Sequence, residues 1–135
     1  MRLKTIFFLV TLIVVSLLSI GCSQYHKLQK DIPVYSGAHF IKLFRDTSNK
    51  QKKHELWSAK AQTNDVSKFY QEKLEDKQWK KEMIIPSPEG NGYALAYVKK
   101  DKMLIVLVFA RAGKEDETMI DFSVTSLPKS WQKKK

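Results

Sequence analysis

Thr63-Asn64-Asp65-Val66-Ser67-Lys68-Phe69-Tyr70-Gln71-Glu72-Lys73-Leu74-Glu75-Asp76-Lys77 is the stretch where the period of the chain changes. Val66, Phe69, Tyr70 and Leu74 stand at i, i+3, i+4 and i+8. A helix gathers them into one apolar stripe and turns the charged residues away from it. Thr63 or Asn64 is the expected N-cap, accepting a free backbone N–H, and Asp65 suits the positive end of the helix dipole. Lys73 and Lys77 suit the other end, so the helix is expected to stop near Lys77, with Trp79 packing as the chain leaves it. One stripe has to be buried against something, and the flanking sequence supplies strands.

Upstream, Pro33 and Tyr35-Ser36-Gly37 mark a turn into the fold. Residues 38–45, with Phe40, Ile41, Leu43 and Phe44, read as a first strand, and residues 46–53 as a lysine-rich loop. Residues 55–61 alternate around Leu56 and Trp57 as a second strand. Downstream, residues 79–85 end at the breaker-rich Pro86-Ser87-Pro88-Glu89-Gly90-Asn91-Gly92. Residues 93–99 follow, with Tyr93, Leu95 and Tyr97 on one face. A Lys100-Asp101 turn leads into residues 103–112, and a turn over residues 113–117 leads into residues 119–126, where Ile120, Phe122 and Val124 share a side. Short connections between these last strands predict antiparallel hairpins. The expected order is β-β-α-β-β-β-β. The expected class is α+β: a two-layer sandwich of an antiparallel sheet of five to six strands with the helix on one face.

Met103-Leu104-Ile105-Val106-Leu107-Val108-Phe109-Ala110 breaks the alternation that a half-solvated strand should keep. One explanation is a central strand whose second face is covered by its neighbours or by residues 25–35. The other is a contact surface, built from Leu104, Val106 and Val108 with Tyr93 and Tyr97, for a partner protein, a second copy of the chain or the membrane. The flanking Lys99, Lys100, Lys102, Arg111 and Lys114 suit protection against aggregation equally well.

Catalytic and cofactor patterns do not emerge. His26, His39 and His54 lack metal-ligand spacing, and no glycine-rich loop precedes a helix to cradle phosphate. The expectation is therefore no metal, no cofactor and no enzyme activity. Glu72, Glu75 and Asp76 lie off the helix stripe, and Glu115, Asp116 and Glu117 fall in an expected turn, so solvated charge explains them. Asp121 sits mid-strand with Met119 and Ser123, on the side opposite Phe122, and is expected to be exposed.

The first 22 residues carry a different message. Arg2 and Lys4 give a positive start, Ile6 to Ile20 is apolar apart from Thr11, Ser16 and Ser19, and Gly21 precedes Cys22. This order is that of a secretory signal. As a helix the apolar stretch would span roughly 22 Å, short of the ~30 Å hydrocarbon core. Leu18-Ser19-Ile20-Gly21-Cys22 resembles the bacterial lipobox, with Ser19 where leucine is usual. That resemblance implies cleavage between Gly21 and Cys22 and a diacylglycerol on the Cys22 thiol. Cys22 is the sole cysteine, so no internal disulfide competes for it. The implied layout is a signal peptide over 1–21, a lipidated tether over 22–31, one domain over 32–128 and a basic tail over 129–135. The implied address is the extracytoplasmic side of a cell membrane or outer membrane.

Without Arg2 and Lys4 the chain holds 22 basic and 14 acidic residues. The excess clusters at Lys50, Lys52 and Lys53, at Lys99, Lys100 and Lys102, and in the tail. These are the candidate anion contacts, and polyanion or nucleic-acid binding through them is the alternative function, with nucleic acid the weaker of the two.

Asp31-Ile32-Pro33-Val34-Tyr35-Ser36-Gly37-Ala38 resembles the Tyr-Pro-Gly-Ala opening of a group of small bacterial envelope lipoproteins. Phe69-Tyr70, Leu74 and Trp79 are similar to the Phe-Tyr-x-x-x-Leu-x-x-x-Gly-Trp helix of that group. Ser36 replaces its proline and Gln78 its glycine. The resemblance spans most of residues 31–126 and implies the fold, but its matched positions are turn and core positions and bring no defined activity. The expected function is accordingly a membrane-anchored, non-enzymatic binding or accessory module of the cell envelope.

Overall fold

Burial of the Val66, Tyr70 and Leu74 stripe organises the domain. The computed structural model describes residues 30–49 and 52–132. Along them run β1 (His39–Arg45), β2 (Lys53–Ala59), α1 (Thr63–Asp76), β3 (Lys80–Pro86), β4 (Gly92–Lys99), β5 (Lys102–Arg111), β6 (Lys114–Ser126) and a short α2 (Lys129–Gln132). The segment read as a signal peptide, Cys22, Lys50 and the last three lysines lie outside the described residues. The fold is α+β, with six antiparallel strands in the order β1-β2-β6-β5-β4-β3 and α1 packed over β3, β4 and β5. Two hairpin systems, β1-β2 and β3-β4-β5-β6, meet where β2 pairs with β6.

The core lies between α1 and one sheet face. Leu95 and Tyr97 of β4, Leu104, Val106 and Val108 of β5, and Ile120 and Phe122 of β6 have no exposed surface. Register puts Val106 between Leu95 and Phe122, so the three strands present one continuous face to the helix. Fully burying Val66 and Leu74 contributes about 2 kcal/mol each. Ile32 joins this core, and the Tyr35 backbone N–H donates to the Tyr70 hydroxyl at 3.2 Å. Residues 30–35 thus pack on the helix side of the sheet.

Several local expectations change. The N-cap is Gln62, which makes no side-chain cap bond, and Asn64, inside the helix, accepts from the Tyr93 hydroxyl. Strand β6 begins at Lys114, since Gly113 at φ +77° completes a tight turn and lets Glu115, Asp116 and Glu117 extend as strand. In β2 the inward residues are Glu55, Trp57 and Ala59, while Leu56 faces the other way. The Trp57 indole N–H donates to the buried Glu55 carboxylate, which lets a charged residue sit on the core face.

The end of α1 explains the Gln78-Trp79 sequence. The Gln78 N–H donates to the Glu75 carbonyl at 2.9 Å and the Trp79 N–H to the Leu74 carbonyl at 2.9 Å. This is the paired closing motif of a helix whose next residue is left-handed, with buried Trp79 against buried Leu74. Gln78 adopts φ +68° there, a conformation that costs a side-chain-bearing residue about 1 kcal/mol. Gln78→Gly should therefore raise the unfolding free energy by about 1 kcal/mol, measured by urea denaturation. Gly92 is the opposite case. A Cβ at Gly92 would lie 2.2 Å from the Val108 carbonyl oxygen and 2.9 Å from Phe109 Cα. Gly92→Ala is expected to cost about 2 kcal/mol in the same measurement, because backbone has to move.

Candidate functional site

The sheet has one covered face and one that no described element covers. Residues that alternate with the core positions form the second face: Met103, Ile105, Leu107 and Phe109 of β5, Ala94 and Ala96 of β4, Met83 and Ile85 of β3, and Met119 of β6. Leu107 is 37% exposed and Phe109 38%, while Met83 and Ile85 reach 50% and 51%. Val108, between Leu107 and Phe109, is fully buried. The unbroken apolar run of β5 is therefore split, with one half under the helix and the other half open. At one corner Ile85, Pro86, Tyr93, Leu107 and Phe109 line an open groove of about 320 Å³.

This relocates the candidate contact surface. Leu104, Val106, Val108 and Tyr97 are fully buried beneath α1 and present nothing to a partner. Tyr93 is half-buried and bonded to Asn64. Alternation in the sequence separates the two halves of β5, but which half meets the helix depends on the register with β4 and β6.

Towards β1 and β2 the open face becomes polar. His54 Nδ1 lies 2.9 and 3.2 Å from the two Asp121 oxygens, which makes Nδ1–H the donor because a carboxylate only accepts. The His54 ring stacks on Phe44 at 4.9 Å, and Lys42 Nζ sits 5.3 Å from the Phe44 centroid. Asp121 is thus a paired and largely buried carboxylate rather than an exposed one. The pair joins residues 67 apart, so no local motif signals it; only the β2–β6 register does. Ser123 lies directly across from His54, yet the contact of His54 Nε2 is Asp46 at 3.9 Å. The ring is held between acidic groups and is not aimed at the hydroxyl. Asp46 itself accepts from Ser48, and those bonds hold its carboxyl below the usual range. Among the described residues no three histidine, cysteine or acidic side chains gather as a metal site.

The lysines divide into different roles. Lys99 donates to the Asp31 carboxylate and to the Lys77 carbonyl, and its ammonium lies 5.8 Å from the Trp79 ring centroid. It ties the chain entering the domain to the end of α1 and is a structural clamp. Lys52 and Lys102, with Asn49, Thr125 and Ser126, line an open depression of about 400 Å³. Lys53 and Lys100 are exposed nearby.

The chain matches no protein-family model, no curated protein and no solved structure. Ile32, Ala38, Tyr70, Leu74 and Trp79 are buried, and Gly37 and Gln78 hold left-handed backbone at φ +81° and +68°. These are positions that build the fold.

Two buried phenols give the domain an alkaline limit. Burial, aided by Glu75, pushes the Tyr97 phenol up to about 12, and burial likewise raises Tyr70. In the unfolded chain both ionise near 10, so above that pH the unfolded state binds fewer protons and gains. Stability should hold below about pH 10 and fall as pH rises from there towards 12. Among the described residues the buried Tyr97 hydroxyl has no hydrogen-bond partner. Tyr97→Phe should therefore keep neutral-pH stability and soften the alkaline decline. Urea unfolding at stepped pH checks this, and an identical decline in both chains would assign it to other groups.

Proposed function

We propose that this chain is a lipid-anchored lipoprotein of a bacterial envelope and that its domain is a binding module, not an enzyme. The observation that carries the reading is the series of positive start, apolar segment and Gly21-Cys22, with Cys22 the sole cysteine. A thiol is the nucleophile that lipid attachment needs, and two acyl chains on it give stable membrane residence at ~0.8 kcal/mol per buried methylene. The folded part supports the same reading. Asp31, which is tied to Lys99, stands nine residues after Cys22, so in this reading a short tether links the anchor to the domain.

The open sheet face supports the binding role. Half-exposed Leu107, Phe109, Met83 and Ile85 form an apolar surface, and such surfaces mark contact sites. Its occupant in this reading is another envelope protein with a complementary apolar face. The His54–Asp121 pair and Lys42 border the surface and supply the polar contacts that fix a partner's orientation.

Metabolic labelling with a tagged fatty acid tests the anchor: the native chain is expected to take up label and Cys22→Ser to take up none. Labelling of Cys22→Ser at the native level would end the lipoprotein reading. For the binding face, Leu107→Lys combined with Phe109→Lys should leave the fold intact, because both side chains are already partly solvated. Crosslinking in the native membrane should then lose the partner that the unsubstituted chain captures. A crosslinked species that survives this double substitution would place the contact elsewhere.

A further inference from the structure

Antiparallel pairing brings the lysine clusters of the sequence to one end of the sheet. Arg45 at the end of β1 faces Lys53 at the start of β2, Lys99 at the end of β4 faces Lys102 at the start of β5, and Lys80 opens β3 beside Val98. Of the carboxylates at this end, Asp31 holds Lys99, Asp46 accepts from Ser48, and Glu82 lies 4.0 Å from Lys80. Asp101 stands exposed in the turn between Lys100 and Lys102, so the cations outnumber the carboxylates. At the opposite end the balance reverses. Arg111 and Lys114 lie 2.9 and 3.7 Å from Glu117, with Glu115 and Asp116 exposed beside them. The domain is polarised along its strands.

The chain enters this fold at the same end, because Asp31 is clamped to Lys99. The nine residue steps from Cys22 to Asp31 reach at most about 32 Å. An anchor at Cys22 therefore tethers the domain by its basic end. Lys100 adds to this. It keeps a long cationic side chain at φ +56°, where glycine would be unstrained.

We propose that the basic end of the sheet, through Lys53, Lys100, Lys102 and the Lys52-lined depression, rests on an anionic phospholipid surface. The strands then stand along the membrane normal. The proposal rests on the anchored reading of Cys22 for the tether, and on the charge placement alone for the surface it meets. In this orientation the open apolar face points sideways, clear of the headgroups and free for a partner in the same membrane. The attraction acts within a Debye length, about 8–10 Å at ordinary ionic strength, so only the residues at that end contribute.

The test uses the mature full-length protein in vesicles. A lipidated Cys22 has no free thiol, so Asp101→Cys at the basic end and Glu115→Cys at the other give single labelling positions of equal charge change. Each carries a fluorophore, and the vesicles carry a headgroup nitroxide quencher. On phosphatidylglycerol vesicles the label at position 101 is expected to be quenched several times more than the label at 115. The contrast should fade on phosphatidylcholine and in about 1 M salt, where the screening length shrinks to ~3 Å. Equal quenching at the two positions overturns the proposal, and so does a contrast indifferent to lipid charge and salt. Maleimide reaction of the unsubstituted chain reports separately on Cys22. If its thiol is free, the anchor reading fails, and the same contrast measured in a Cys22→Ser chain still decides the surface. In that unanchored chain, Lys53→Gln and Lys100→Gln should each weaken partitioning onto phosphatidylglycerol about fivefold. A DNA oligomer that displaces the protein from these vesicles at equal phosphate concentration would reassign the end to nucleic acid.

Discussion

The pairing of residues 54–59 with residues 118–123 holds the domain together. It joins the amino-terminal hairpin to a four-strand meander, across more than half of the described chain, and it is the contact with the greatest closure entropy to overcome. Its compensation is a backbone ladder whose core side sets Trp57 against Ile120 and Glu55 against Phe122. The same ladder brings His54 to Asp121 on the other side. Without this junction β6 would be a solvated edge strand, Trp57 would lose its place in the core, and the open face would end at β5 and β6.

A six-strand sheet with one long helix has more apolar surface than the helix can cover. The two edges are managed locally. Both β1 and β3 carry a register irregularity, β3 begins with Lys80-Lys81 and ends at Pro86, and such features discourage further strand pairing. The open face has no comparable protection over β3 to β5, where leucine, phenylalanine, methionine and isoleucine stand half in solvent. A sequence under no demand beyond folding would place polar residues at those alternate positions.

Two side-chain-bearing residues with positive φ, Gln78 and Lys100, stand at the basic end, one closing α1 and the other turning β4 into β5. Their locations give the strain a physical setting. Gln78 is held by the two hydrogen bonds that finish the helix, and Lys100 by the two-residue connection between paired strands. Lys99 lies between them in space, binding Asp31, the Lys77 carbonyl and the Trp79 ring together. This one cation fixes where the polypeptide enters the fold relative to the ends of α1 and β4.

Periodicity alone determined most elements of this protein, though not the start of β6 at Lys114. The helix stripe, the inward Leu95-Tyr97 and Ile120-Phe122 sets, the turn at Lys100-Asp101 and the α+β order follow from local spacing, since side-chain direction repeats every 3.6 residues in a helix and every two in a strand. The side of β5 that faces solvent was beyond local reach, because both halves of Met103–Ala110 are equally apolar and the choice belongs to the register with β4 and β6. For the same reason Leu104, Val106 and Val108 read as a surface in the sequence and are core in the fold. The inward turn of Glu55, the pairing of His54 with Asp121 and the convergence of separate lysine clusters at one end are likewise tertiary decisions. Each joins segments that no window of neighbouring residues contains, and strand pairing sets which of them meet.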